Sequence, residues 1–272
     1  MPYEIPNTAI DIELAVDSLD RLYLHEHVVT EHQERLASAI ETDGTLLDPI
    51  IIDRTSGVVL DGMHRLTSLA QLGYTSIPTA RVEYDDPQIA VERWVKLYDA
   101  TASTEISTAC DTAGIDIIEA PPTEGDPRPE LYRSGDRYLL DVPLNPTATY
   151  CDRMHTLFSM LLDRGHDPTL IADSNLEWTG VADAAAIVQP VIDKELVVAT
   201  ATRGIRFPPN TSRHIIPTRP VGVNVPLKFL SEDHETADQL LTDFLLDRTI
   251  RAIDRGDVHD GRVYDETLIT FE

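Results

Sequence analysis

Lysine is nearly absent from this chain of 272 residues, with Lys96, Lys194 and Lys228 the only three. Bases of both kinds number 22 against 47 acids, a formal net charge of −25. The acids run along the whole chain, as at Asp85-Asp86, Glu232-Asp233 and Asp257, so they are not an acidic binding tail. No basic stripe is present to meet the phosphates of duplex DNA, which such a surface repels, and nucleic acid is not an expected partner. A uniformly acidic, lysine-poor chain points instead to a surface adapted to high salt, where self-repulsion is screened.

Cysteine is scarce as well. Cys110 and Cys151 lie far apart in sequence, and free thiols are expected rather than a disulfide. Long apolar runs are missing. Ile187-Val188 and Val197-Val198-Ala199 fall far short of the roughly 20 residues that span a bilayer. The opening Met1-Pro2-Tyr3-Glu4-Ile5 has neither the basic nor the apolar part of a secretory signal, so a cytoplasmic location is expected. Repeats and low-complexity tracts are absent too. What is present is an apolar fraction of 42%, ordinary for a globular protein with a real core.

The pattern along the chain predicts an α/β or α+β protein. A strand is expected within the run from Ile10-Asp11-Ile12 to about Leu24. A helix is expected over Glu31 to Ile40, ended by Asp43-Gly44, with buried-type strands at Pro49 to Asp53 and Val58 to Leu60. Leu66, Leu69, Ala70 and Leu72 share a helical face that Gly73 would stop, and Ile77 to Val82 reads as a further strand. From Thr101 to Pro146 no period is sustained and prolines recur, including Pro121-Pro122, so a connector with short elements is expected. Helices are expected over Thr156 to Arg164, Val181 to Ile192 and Ala237 to Arg255, and a strand over Val221 to Leu230. The domains are expected at residues 1–100, 101–180 as a connector or lid, and 181–272.

Chemistry first shows itself at Asp61-Gly62-Met63-His64-Arg65, where a strand runs into a helix. Gly62 permits a tight turn and close approach of a ligand, and the free N–H groups of a helix start favour anions. His64 and Arg65 fall in the first helical turn, where the helix dipole disfavours a cation. A bound phosphate at that point would answer them. The plainer alternative is a helix capped by Asp61, with Arg65 in solvent.

Leu60-Asp61-Gly62-Met63-His64-Arg65, with Asp48 to Asp53 before it and Leu72-Gly73-Tyr74 and Ile77-Pro78 after it, resembles the nucleotide-binding domain of the ParB/sulfiredoxin-like superfamily over roughly residues 8–95. Within it the segment is similar to the Asp-Gly-His-His-Arg pattern of the free L-serine kinases, with Met63 in place of the first histidine. Sulfiredoxins carry a reactive cysteine where Met63 stands, which excludes their redox chemistry. A second segment, Phe207-Pro208-Pro209-Asn210-Thr211-Ser212-Arg213-His214 followed by Val223 to Leu227, resembles the C-terminal signature Pro-Pro-Lys-Ser/Thr-Thr-Arg-His of the same kinases, with Asn210 in place of lysine.

The resemblance implies an N-terminal ParB/sulfiredoxin-like nucleotide-binding domain and a C-terminal region that shapes the substrate site. It implies phosphoryl transfer from ADP or ATP to free L-serine, with Mg²⁺ near Asp61. Nucleotide phosphates would rest on Asp61, Gly62, Met63, His64 and Arg65. Glu26 would be the general base, with His64 also in a catalytic role, and Trp94, Thr211, Ser212, Arg213 and His214 would hold the amino acid. In a chain with 47 acids, Glu26 would not stand out without the family pattern. His25 and His27, two apart and with no third ligand evident, are read as surface or supporting residues rather than a metal site. Core packing explains Trp94 equally well, and Trp178 and Cys151 to His155 carry no functional reading. A ParB-like nucleotide switch without kinase activity, and an enzyme acting on another small hydroxyl compound, are the competing functions.

Overall fold

A computed structural model describes residues 2–119, 126–133, 135–175, 184–259 and 261–272. The chain forms two compact units. One comprises Met1–Ala90 with His214–Glu272, and the other Val91–Arg213.

The first unit begins with β1 (Tyr3–Glu4), β2 (Glu13–Ser18), β3 (Tyr23–Leu24), α1 (Thr30–Asp43), β4 (Thr45–Leu46), β5 (Ile50–Asp53), β6 (Val58–Asp61), α2 (Met63–Gln71) and β7 (Ser76–Val82). Six strands form a mixed sheet in the order β1-β2-β7-β5-β6-β3. The runs Ile50-Ile51-Ile52 and Val58-Val59-Leu60 are buried throughout, as expected of β-branched central strands covered on both faces. Between them Gly57 is required: its φ is +73°, and a Cβ there would lie 2.4 Å from the carbonyl oxygen of Arg21. Gly44 closes α1 in the left-handed conformation, and Gly73 follows the end of α2 with φ +86°. Both helix ends are where the sequence puts them.

One irregularity aims the site. Ile51 pairs with Asp61 while the next residue, Ile52, pairs with Val59. Leu60 is therefore an extra residue on β6, a bulge of the kind that redirects a strand end.

The second unit contains most of β8 (Ala90–Asp99), then α3 (Ser103–Ala113), β9 (Ile117–Glu119), β10 (Glu130–Arg133), β11 (Asp136–Leu140), α4 (Thr147–Asp163), β12 (Thr169–Ala172), β13 (Ala184–Val188), α5 (Lys194–Ala201) and the start of β14 (Ser212–Ile215). Its sheet runs in the order β12-β8-β13-β10-β11-β9. The buried stripe of α4 is Tyr150, Cys151, Met154, Leu157, Phe158 and Leu161, a helical spacing. Cys110 and Cys151 are both buried free thiols, and burial above all pushes each up to about 12.

Several expectations are corrected here. The supposed connector after Thr101 holds α3 and three strands, and α4 starts at Thr147 rather than Thr156. The helix expected over Val181 to Ile192 is a strand at Ala184–Val188, and residues 189–192 are in neither helix nor strand. Ala184 to Val188 pairs with β8 and with β10, so sheet pairing overrides the helical propensity of its alanines. The unit boundaries fall after Ala90 and Arg213, not near 100 and 180. Pro121-Pro122, Trp178 and residues 181–183 lie outside the described residues.

The chain completes the first unit with β15 (Thr218–Val221), β16 (Val225–Pro226), α6 (His234–Leu246), β17 (Ile250–Ile253), β18 (Val258–His259), β19 (Arg262–Val263) and β20 (Thr267–Phe271). A sheet in the order β15-β20-β17 forms, and β16 pairs with β4. The strand expected over Val221 to Leu230 is broken by Gly222 and Asn224, both at positive φ, and a 3₁₀ turn occupies Leu227–Ser231. The helix expected to reach Arg255 stops at Leu246, because Ile250 to Ile253 pairs with β20 instead. Among the described residues no helix is long and apolar enough to cross a membrane.

Candidate active site

Gly62 joins β6 to α2 with φ +94°, and a Cβ there would sit 2.6 Å from Cγ2 of Ile50. The N-cap of α2 is Gly62 itself, which has no side chain to cap the helix. The alternative of Asp61 as the capping residue is thereby removed. The first N–H groups of a helix have no partner within it. Those of Met63, His64 and Arg65 open an α-helix behind a residue without a side chain, an arrangement suited to a phosphate.

Arg65 sits differently from the expectation of a phosphate contact. Its Nη1 donates to the carbonyl oxygens of Asp48, at 3.1 Å, and Pro49, at 2.8 Å. Its Nη2 donates to Oδ2 of Asp61, at 2.5 Å. The anion that answers this cation is thus a carboxylate one helical turn earlier, with no ligand needed. Arg219, which sequence reading did not single out, reaches the same Oδ2 at 3.2 Å, and its Nε lies 2.6 Å from Glu266. It also donates to the carbonyl oxygen of His214. Burial pushes the Asp61 carboxyl up, but Arg219 and Arg65 outweigh it and hold it at about 2.

A carboxylate shared between two guanidinium groups does not fit the role of magnesium ligand. Among the described residues no three His, Cys, Asp or Glu side chains gather as a metal site.

Glu26 follows β3 and is buried, as are His25, His214 and Tyr84. His25 Nδ1 lies 2.7 Å from the carbonyl oxygen of Val59, which can only accept, so Nδ1 carries the proton. Its Nε2 lies 3.6 Å from Oε1 of Glu26. The edge of the ring meets His214, centroids 5.1 Å apart, and His214 Nε2 is 2.7 Å from the Tyr84 hydroxyl. His64 accepts the N–H of Val29 on its Nε2 at 3.1 Å. That bond ties the segment after Glu26 to the second residue of α2. Burial, and then the neighbouring His32, lower the pKa of His64, while Glu26 opposes them. Burial likewise lowers that of His25 against the pull of Glu26 and the Val59 carbonyl. His25 is therefore a core residue of the cluster and not a surface histidine.

The segment Thr211 to His214 is divided between the units, His214 in the first and the other three in the second. Within the second unit the Arg213 guanidinium stands 5.4 Å from the Trp94 ring centre and donates to Glu92 at 2.9 Å. Trp94 is only partly buried, and it pairs with Arg213 by a cation–π contact. Ser212 is buried. Thr211 is fully buried, and its hydroxyl donates to the carbonyl oxygen of Pro208 at 2.8 Å. It supports the loop, and its only hydroxyl proton is already engaged. Arg219 and Tyr84 had no motif to betray them. Glu92 and Lys96 share a strand face with Trp94, and period-two spacing from that tryptophan is the signal that would have found them.

No protein-family model matches the chain. It is 24% identical over 192 residues to a ParB-like protein of Sulfolobus acidocaldarius, covering 70% of this chain and 84% of that one. It is 24% identical over 252 residues to an ATP-dependent L-serine kinase of Staphylothermus marinus, covering 82% and 95%. It is 22% identical over 244 residues to an ADP-dependent L-serine kinase of Thermococcus kodakarensis, covering 84% and 96%. Among solved structures, a free serine kinase in complex with AMP superposes with a TM-score of 0.70 at 21% identity, covering 84% of this chain and 97% of that one. SbnI with C-terminal truncation from Staphylococcus aureus superposes at 0.72 and 18% identity, covering 86% and 96%. The homologues thus include ParB-like and free L-serine kinases, and the mixed helix-and-sheet fold is the one these structures share.

Proposed function

We propose that this protein is a kinase that transfers a phosphoryl group from ADP or ATP to the hydroxyl of free L-serine, giving O-phospho-L-serine. The observation that carries the reading is the hydrogen bond from Val29 to His64. It couples the buried Glu26 segment to a helix start whose N-cap is Gly62. A proton acceptor and an anion-binding turn are the parts that phosphoryl transfer to an alcohol requires. The overall resemblance to proteins named as L-serine kinases supports the same assignment.

On this reading the nucleotide phosphates take the backbone N–H groups of Met63, His64 and Arg65. Glu26 accepts the serine hydroxyl proton as the oxygen attacks the terminal phosphorus and the bond to the leaving nucleotide breaks. His64 fixes the Glu26 segment through Val29 and borders the phosphates. In the second unit Arg213, with Ser212 and Trp94, is assigned to the amino acid, since a guanidinium can grip a carboxylate with paired hydrogen bonds; in the first unit His214 is assigned to the cluster of His25 and Tyr84. Asp61 and Arg65 are assigned to shaping the turn. Magnesium would supply charge neutralisation on the phosphates, and Asp61 is not proposed as its ligand. A cytoplasmic setting with high internal salt accords with the net charge of −25.

The test is direct incubation with L-serine, Mg²⁺ and either ADP or ATP in high salt, followed by detection of O-phosphoserine. Product from one donor establishes the activity and names the donor. Absence of product from both, with a folded protein, rejects the proposal.

A further inference from the structure

Lys96 is one of only three lysines, and it is buried, with 3% of its surface exposed. Burying an ammonium is costly unless its protons find acceptors. Here Nζ donates to the carbonyl oxygen of Asn210 at 2.6 Å and to Oε1 of Gln189 at 2.8 Å. The face of the Phe158 ring stands 4.5 Å away, a cation–π contact.

An ammonium has no lone pair, so it dictates the direction of every bond beyond it. Oε1 of Gln189 must face Lys96, which turns Nε2 of the same amide toward the Tyr150 hydroxyl at 3.0 Å and Oγ1 of Thr211 at 2.9 Å. Thr211, accepting from Gln189, must then donate to the carbonyl oxygen of Pro208. Lys96 and the chain it polarises therefore hold three points of one loop: Pro208, Asn210 and Thr211. Asn210 is itself at φ +55°, a backbone state that a non-glycine residue adopts at some cost. Glu92 and Trp94, on the same strand face as Lys96, engage Arg213 at the end of that loop.

We propose that Lys96 is a positioning residue for the amino-acid site: through Asn210 and the Gln189–Thr211 relay it sets the 208–213 loop in the geometry that presents Arg213 to the substrate's anionic group. This inference rests on the kinase reading for its substrate, and on the structure alone for the loop.

The experiment uses Lys96→Met, which keeps the length of the side chain and removes the charge, in the full-length protein. Two readouts are taken. The first is limited trypsin digestion with the cut sites mapped by mass. Arg206 and Arg213 flank the loop, so nicking after either should accelerate about tenfold or more, other sites being unchanged. The second is the kinetic split: KM for L-serine should rise about tenfold while KM for the nucleotide stays within about two-fold. Thr211→Val, which breaks the relay at its far end in a nearly isosteric way, should show the same pattern more weakly and covers the case of a Lys96→Met protein that does not fold. Nicking unchanged at the loop, or raised equally at all sites, overturns the proposal, as does a KM for serine that does not move. If the unaltered protein makes no phosphoserine, the kinase reading fails and the digestion pattern alone decides the role of Lys96.

Discussion

The Arg65 guanidinium lies across the bare face of Gly62: a Cβ on that glycine would be 2.8 Å from both Nε and Nη2. The arginine thus closes one side of the turn that leads into α2. Gly62→Ala brings a clash and a positive φ together. We expect destabilisation of at least about 2 kcal/mol in urea unfolding, with nucleotide binding lost at concentrations that saturate the unaltered protein. An alanine variant with normal stability would mean that Arg65 and Ile50 both give way freely and that the turn does not require glycine.

Glu26→Gln tests the proton acceptor while keeping the shape of the side chain. Loss of a positioned base costs about a hundredfold or more in rate. We therefore expect kcat to fall by that factor, with nucleotide affinity close to unaltered, as measured by steady-state kinetics and by titration calorimetry. Full activity in this variant would remove Glu26 from the base role and leave the phosphate turn untouched.

Much of this site was legible beforehand because its parts are local. Gly62, the helix start after it and the strands on either side follow from short-range patterning, and these elements fall close to where that patterning puts them. Arg65 was legible as a residue but not as a contact. Its partners Asp48 and Pro49 lie 17 and 16 positions away, and Asp61 competes with any ligand for its charge. Arg219 and Tyr84 depend on pairings across more than a hundred residues, which no local spacing encodes. The alanines and isoleucines of β13 and β17 tolerate helix or strand, and only the neighbouring strands decide between them.

Acid should weaken the first unit in two stages. His25 and His64 have native pKa values below the ordinary 6.5, so below 6.5 the unfolded chain binds protons that the native one refuses. Stability from this source is complete above 6.5 and falls as pH drops. Asp61, at about 2 against 3.8 for the free side chain, contributes stability that persists above 3.8 and is lost toward 2. Urea midpoints at constant salt should be level from about pH 8 to 7 and decline below 6.5. His64→Gln keeps an acceptor for the Val29 N–H and removes one titrating group, so it should make that decline shallower. A decline of equal steepness in the variant would show that His64 does not titrate with folding.

Salt should stabilise this protein, and the reason is arithmetic. With 22 bases and 47 acids, even complete one-to-one pairing leaves 25 acids without a basic partner. Ion pairs such as Arg81 with Glu13 and Asp17, and Arg137 with Glu130, are weakened by added salt. The repulsion among the surplus carboxylates is weakened as well, and they outnumber the pairs that can be lost. Raising KCl shortens the screening distance from about 10 Å at 0.1 M to about 3 Å at 1 M. We expect Tm to climb by several degrees over that range, equivalent to about 2 kcal/mol for a chain of this size. Most of the gain should come below about 1 M, where screening changes fastest. A Tm that falls with KCl would mean that the ion pairs outweigh the repulsion, and the high-salt reading of the surface would then be wrong.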